Sequence, residues 1–307
     1  PTYQILGDEL DGPRGRIYLI KQMAEGQVPT DKTRMHLDRC LTCRNCESTC
    51  PSGVQYGNLV DIGRKWAEEN TPERPLGQRL TRWALKEGLT SPKLFNSAMA
   101  IGRLVRPLMP TGIQRKIPEA KNKALASNID PYARPKERHS RKMLLLEGCV
   151  QPGMLPNINS ATARVLDALK IELISASNAT CCGALRYHLN DQAGGLDNAK
   201  QNIDAWWPKI EQGVEAIVMT ASGCGVMVKD YGHLLANDPK YAVKAKTISE
   251  LTKDISEIMP ALEEELIALI GADPKPGVVY HPPCTLQHGQ QIRGKVESLL
   301  SSIGIGV

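Results

Sequence analysis

The sequence predicts an α/β protein with a helical, cysteine-bearing N-terminal part. Three observations carry this reading. Short apolar runs alternate with helical segments from residue 143 onward, four cysteines crowd together before residue 51, and a basic stretch broken by prolines separates the two regions. Strands alternating with helices imply parallel βαβ units with right-handed crossovers. At 307 residues the chain has room for two modest domains or one large one. Hydrophobic residues make up 41% and charged residues 23%, which excludes wholesale disorder and collagen-like structure. With one Phe in the whole chain, the cores must be aliphatic.

Three segments follow in order. In residues 1–72, Asp11-Gly12-Pro13-Arg14-Gly15 opens a helix with Ile17, Ile20 and Met23 at helical spacing. A second helix starts at Tyr56, passes Trp66 and ends near Asn70-Thr71-Pro72. Residues 73–142 carry helical patches from Leu76 to Leu85 and from Leu94 to Leu108, with Pro107, Pro110, Pro118, Pro131 and Pro135 breaking up the rest. This segment reads as a helical linker that packs on other surfaces and has no core of its own. In residues 143–307, strands are expected from Met143 to Gly148, Ile171 to Ser175, Ala216 to Thr220 and Gly277 to His281. Helices are expected from Thr162 to Leu169, Asp197 to Ile210, Leu262 to Ile270 and Val296 to Leu300. The order strand, cysteine, helix, strand occurs twice, around Cys149 and again around Cys284, so an internal repeat is expected.

Charge is unevenly spread. Arg74 to Lys142 holds 16 Lys/Arg against 4 Asp/Glu, a net +12, which leaves about −7 for the rest. Such segregation suggests a surface facing an acidic partner or an anionic membrane, with a solvated linker as the alternative. Basic residues without interleaved aromatics argue against nucleic acid. The longest uncharged runs, Gly148 to Ala163 and Ala216 to Val228, are polar or too short to span a bilayer. The N-terminus, Pro-Thr-Tyr-Gln, carries no Met and no secretory pattern, and reads as the cut end of something longer.

Nine cysteines, an odd count without a secretory signal, favour metal or redox chemistry over disulfides. Cys40, Cys43, Cys46 and Cys50, the last followed by Pro51, have the spacing of a bacterial ferredoxin run, in which the fourth cysteine serves a second cluster. The N-terminal part is therefore expected to be ferredoxin-like. Cys40, Cys43 and Cys46 are expected to share one [4Fe–4S] cube, and Cys50 to serve another. Zinc is the alternative, although structural zinc usually takes two separated pairs of ligands.

The other cysteines fall after predicted strands: Cys149 after the first, Cys181-Cys182-Gly183 after the second, Cys224 after the third and Cys284 after the last. Carboxyl ends of parallel strands are where α/β sheets build sites, and vicinal thiols suit multi-metal binding. Ordinary buried cysteine is the alternative. His188, His281 and His288 stand near these cysteines and could hydrogen-bond a sulfur, and His36 reads as a neighbour only. No Ser-His-Asp constellation or phosphate-loop lysine motif is present, and Gly223-x-Gly225 lacks a third glycine.

Taken together, the ferredoxin run, Cys149-x31-Cys181-Cys182-Gly183 and His281-Pro282-Pro283-Cys284 resemble the cysteine-rich CCG-domain proteins. Within them, Pro13-Arg14-Gly15-Arg16, Leu41-Thr42-Cys43-Arg44-Asn45-Cys46 and His281 through Gly289 are similar to iron–sulfur subunits of glycolate oxidases. The resemblance covers essentially the whole chain. It implies CCG-type βαβ repeats and an electron-transfer subunit without catalytic residues of its own. Partner subunits carrying FAD would oxidise a 2-hydroxy acid, and electrons would pass to a quinone-type acceptor. It also implies two ferredoxin-type [4Fe–4S] clusters, a further cluster in the CCG region, and a cytoplasmic, peripheral place on the inner face of the membrane. Two departures stand out. Cys224 lacks the family's closing Cys-x-x-Cys, so Cys149, Cys181, Cys182 and Cys224 make at most four ligands, and the second Cys-Cys-Gly is not reached.

Overall fold

A computed structural model describes residues 2–115, 117 and 132–307. The expected breaks at Pro118 and Pro131, and Pro1 itself, lie outside the described residues. The C-terminal part is built on four parallel strands: β1 (Arg141–Leu145), β2 (Ile171–Ser175), β3 (Ile217–Met219) and β4 (Thr252–Asp254). Their order is β2-β1-β3-β4. Arg141 pairs with Ile171 at one end of the β1–β2 ladder and Leu145 with Ser175 at the other, while Leu144 pairs with Ile217 on the opposite side.

Side chains alternate along the strands and bury both faces, as a parallel sheet requires. On one face Leu144, Ile217 and Met219 pack with Ile203 and Trp206 of the Gln192–Ile210 helix and Ile248 of the Ala242–Leu251 helix. On the other, Met143, Leu145 and Val218 meet Leu166 of the Pro156–Ala168 helix, Leu266 of the Glu263–Ile270 helix and Leu299 of the Lys295–Ser302 helix. The apolar runs after residue 143 thus produce helix, sheet and helix layers.

Two expectations need correction. The run from Gly277 to His281 is not a strand. Pro276, Pro282 and Pro283 remove backbone donors around it, Val279 is fully exposed, and Val278 N–H reaches only Gly306 O at 2.8 Å. A single parallel bridge, Lys275 to Ile305, is what the second copy of the repeat makes of the β1–β2 pairing. The fourth strand is instead Thr252–Asp254, with Ile217 paired to Thr252. No apolar run marks it. Thr252 and Asp254 are buried because β3 supplies the partner.

In the N-terminal part, the helices Pro13–Ala24, Asp31–Asp38 and Tyr56–Glu69 pack around Ile20, Met23, Leu37 and Ala67. Pro13 stands in the first helical turn, where its missing N–H costs nothing. Thr30 and Thr33 form a capping box at the next helix. Gly63 lies flat under Ile20, where a Cβ would come within 2.6 Å of Ile20 Cγ1. Buried arginines tie the other two helices to the end of the Asp31–Asp38 helix. Arg16 Nε donates to His36 O (2.7 Å), and Arg64 Nε donates to Leu37 O (3.0 Å).

The basic stretch forms the helices Leu76–Gly88 and Pro92–Val105, then a short 3-10 turn, Arg106–Leu108. Phe95 is the one buried residue of these three elements, so these elements have no core of their own. Part of its charge is answered from outside. Arg74 pairs with Asp38 and Glu68, Arg79 with Glu73, Arg134 with Glu147, Arg138 with Glu172 and Arg141 with Glu215.

Leu166 is fully buried on the face away from the thiols. Leu166→Ala is expected to cost about 2–5 kcal/mol of stability through lost transfer energy and a cavity. A denaturation midpoint indistinguishable from the parent's would contradict this assignment of the core.

Candidate metal centre

The sequence places cysteines on two local frameworks, and the fold brings each into a group. In the first, Cys40 and Cys43 lie on the loop that leads into the short helix Asn45–Ser48, and Cys46 lies in its first turn. Thr42 and Arg44 adopt left-handed backbone (φ 52° and 56°), which turns the chain sharply twice between Cys40 and Cys46. The three cysteines line a cavity of about 270 Å³ together with Arg16, Arg44, Asn45 and Tyr56. Thr42 N–H points at Cys40 Sγ (3.4 Å). Burial, followed by the neighbouring Cys40 and Cys43, pushes the Cys46 thiol up to about 11. Crowded sulfurs of this kind gain from a cation that takes their protons. Cys50 does not line the cavity, and the backbone amides of Val54 and Ser52 pull its thiol below the ordinary range.

Arg64 holds the loop from behind, donating to the carbonyls of Leu37 and Cys40 and to Thr42 Oγ1. The Arg44 guanidinium passes over Gly57, where a Cβ would stand 2.8 Å from its Nε, and ion-pairs with Asp230. The cysteine loop is thereby joined to the end of the Ser222–Lys229 helix, which carries Cys224.

The second group stands at the carboxyl ends of three adjacent strands. Cys149 follows β1, Cys181 and Cys182 follow β2, and Cys224 follows β3 in the first turn of its helix. The order β2-β1-β3 puts them around the point where the chain reverses its direction of winding, the usual ligand crevice of such sheets. The Cys149 and Cys182 thiols both donate toward Cys181, and Cys182 also contacts Cys224. Those donors, with the Gly183 N–H and the Arg186 charge assisting, draw the Cys181 thiol down to about 3. The sulfur contacts in turn raise Cys149 and Cys182, because each keeps the proton it donates toward the Cys181 sulfur, and burial beside other cysteines adds to this. One thiolate ringed by thiols is a donor set matched to soft, thiophilic metal.

Cys181 and Cys182 are also 1% and 3% exposed and belong to the packed face of the core. Core burial and thiol clustering coincide here. The backbone of the pair is pinned by residues that sequence reasoning missed. Asn202 Nδ2 donates to Cys181 O (2.9 Å), Tyr231 Oη donates to Cys182 O (2.8 Å), and Thr180 N–H donates to Asn202 Oδ1 (2.7 Å). Nothing local marks Asn202 or Tyr231, since both reach the pair only across the fold. Gly183 turns the chain with φ +89°, and its Cβ would strike Gly195 O at 2.4 Å.

Cys284 is placed differently from expectation. It is exposed, precedes the π-helical turn Thr285–Gly289 rather than following a strand, and joins none of the thiol contacts described above. That turn still packs beside the Cys224 helix, with Ser222 and Thr285 hydroxyls 2.7 Å apart. Among the described residues, three of the histidines singled out above, unlike His281, meet carboxylates or hydroxyls. His188 Nδ1 lies 3.0 Å from Asp61, His288 Nδ1 lies 3.1 Å from Ser48 Oγ, and His36 is buried 3.1 Å from Asp11. A cavity of about 490 Å³ runs along the free edge of β2 and holds no cysteine.

Comparison with known proteins agrees with this layout. The Cysteine-rich domain family (CCG) matches residues 143–229, which hold Cys149, Cys181, Cys182 and Cys224. The chain is 52% identical over 304 residues to the glycolate oxidase iron-sulfur subunit of Escherichia coli (strain K12), covering 99% of this chain and 72% of that protein. It is 29% identical over 326 residues to a probable glycolate oxidase iron-sulfur subunit of Bacillus subtilis (strain 168), with the same coverage of 99% and 72%. Lactate utilization protein A of Bacillus pumilus is 26% identical over 162 residues, 53% of this chain and 65% of that protein. No solved structure gives a significant match.

Gly183 and Gly148 both have positive φ, but only Gly183 is crowded, since the nearest neighbour of a Cβ on Gly148 would be Gln151 Cβ at 3.8 Å. Gly148→Ala is therefore expected to cost about the 1–2 kcal/mol of a left-handed alanine. Gly183→Ala is expected to cost clearly more and to lower metal uptake by the thiol group. Equal denaturation midpoints for the two variants would contradict the close approach to Gly195.

Proposed function

The chain belongs to the family of glycolate oxidase iron-sulfur subunits, and from that premise we propose that it carries electrons through protein-bound iron–sulfur clusters within a glycolate-oxidising complex. The observation that supports this most is the gathering of two thiol groups in one folded body, joined by the Arg44–Asp230 ion pair and by Asp61 to His188. In this reading residues 1–72 form the ferredoxin-like, cluster-bearing part, 73–142 the docking segment and 143–307 the CCG part. Cys40, Cys43 and Cys46 hold one [4Fe–4S] cluster, with its fourth ligand from elsewhere. Cys50 serves a second, and Cys149, Cys181, Cys182 and Cys224 hold a further metal group, with Cys284 at its margin. Such clusters supply one-electron steps, whereas a flavin releases electrons as a pair, which makes a separate carrier necessary.

The residues of this chain bind and insulate. The thiols ligate, and Arg64, Asn202 and Tyr231 fix the backbone that carries them. Leu144, Leu146 and Met219 keep one side of the CCG thiol group dry. Glycolate itself would be oxidised on a flavin-bearing partner subunit, and electrons would leave to a quinone-type acceptor. Docking at the inner face of the cytoplasmic membrane, or against an acidic partner, fits the Pro92–Val105 helix and the turn beyond it. Leu94, Ile101, Leu104 and Leu108 are exposed there, and no acidic residue occurs from Gly88 to Pro118. No helix among the described residues is long and apolar enough to cross a membrane.

Two measurements test this. In the reassembled complex, Cys182→Ser keeps the side-chain volume and removes a soft ligand. It is expected to lose iron and acceptor reduction while the flavin remains reducible by glycolate; wild-type iron and wild-type acceptor rates would overturn the ligand role. Attachment to flavin subunits or anionic vesicles is expected to weaken from low to high salt, because exposed charges are screened over about 8 Å at physiological ionic strength. Association that ignores salt would leave residues 73–142 as a linker only.

A further inference from the structure

Tyr56 opens the Tyr56–Glu69 helix and is 4% exposed. It lines the cavity shared by Cys40, Cys43 and Cys46, yet its hydroxyl has no hydrogen-bond partner. Leaving a buried hydroxyl unpaired is unfavourable, so an orphan of this kind calls for an acceptor. Three neighbours of the cavity are held elsewhere: Arg16 donates to His36 O and to Thr2 Oγ1, Thr2 Oγ1 donates to Asp11 O, and Arg44 Nη2 reaches away to Asp230. The sulfurs of Cys40 and Cys46 line the same cavity beside the phenol.

We propose that Tyr56 donates a hydrogen bond to a sulfur of the iron–sulfur group held by Cys40, Cys43 and Cys46, and by doing so sets its reduction potential. This rests on the reading that those three cysteines ligate a cluster. The physical ground is general. A donor aimed at a cluster sulfur stabilises the more negative, reduced state more than the oxidised one, so it raises the potential. The sulfur-facing Thr42 N–H acts in the same sense but belongs to the backbone and survives any side-chain change. Tyr56 is thus a positioning and tuning residue that no side-chain motif announces. The carbonyl of Gln55 and the ring packing of Tyr56 stay in place when only the oxygen is removed.

The test uses the full-length protein loaded anaerobically with iron and sulfide. The EPR signal of this cluster is assigned as the one lost in Cys43→Ser. Tyr56→Phe is expected to keep iron and sulfide content and the visible spectrum, and to move the midpoint of that signal to a more negative potential. A fluorinated tyrosine at position 56, a stronger donor of nearly the same shape, is expected to move it the other way. The iron–sulfur stretch shift between H2O and D2O seen by resonance Raman is expected to shrink in Tyr56→Phe. Unchanged midpoints in both variants would overturn the proposal. If Tyr56→Phe fails to hold iron, the fluorinated protein decides alone, and an unshifted midpoint there overturns it equally. Failure of the parent protein to take up iron at all would instead sink the ligand reading of Cys40, Cys43 and Cys46.

Discussion

The pairing of β1 with β2 on one side and β3 on the other is the constraint from which the thiol site follows. Parallel strands point their carboxyl ends the same way, so the loops after them meet at one edge of the sheet. Cys149, Cys181, Cys182 and Cys224 stand 32, 1 and 42 residues apart along the chain, and only this register brings their sulfurs together. The register in turn depends on burial of both faces. A slip of one residue would turn Leu144 and Ile217 out of one core and Met143 and Val218 out of the other.

Polar groups then do what apolar packing cannot, which is to hold loop backbone at a defined place. Arg16, Arg64 and Asn202 are all buried, and each gives one donor to a backbone carbonyl at or just before a segment that carries cysteines. A buried guanidinium left unpaired would be strongly unfavourable, so these bonds make the loop geometry a condition of folding. Arg44 and Asp230, with His188 and Asp61, extend the same logic across the contact between the N-terminal helices and the CCG part. The two thiol groups are therefore positioned with respect to one another by side chains that also touch their loops.

The basic stretch shows how far a charge count can mislead without a fold. Read along the chain it is a +12 block. In space, Arg74, Arg79, Arg134, Arg138 and Arg141 each meet a carboxylate contributed by residues outside the block. What the stretch still offers a partner is a helix with an exposed apolar stripe and no acidic residue nearby, a combination of shape and charge rather than charge alone.

The ferredoxin spacing, β1 to β3, the main helices and the gathering of four cysteines at strand ends were legible in the sequence alone. They depend on local periodicity and on cysteines whose spacing is itself the chemical signal. Cys284 and the run from Gly277 to His281 were misjudged because an apolar run says that a strand could form, not that a neighbour has donors free to pair with it. Thr252–Asp254 became a strand for the opposite reason, since β3 offered it an open edge. Tyr56, Arg44, Asn202 and Tyr231 carried no mark in the sequence. Their roles arise from contacts between residues up to 186 positions apart, and only the packed chain decides which buried donor faces which carbonyl or sulfur.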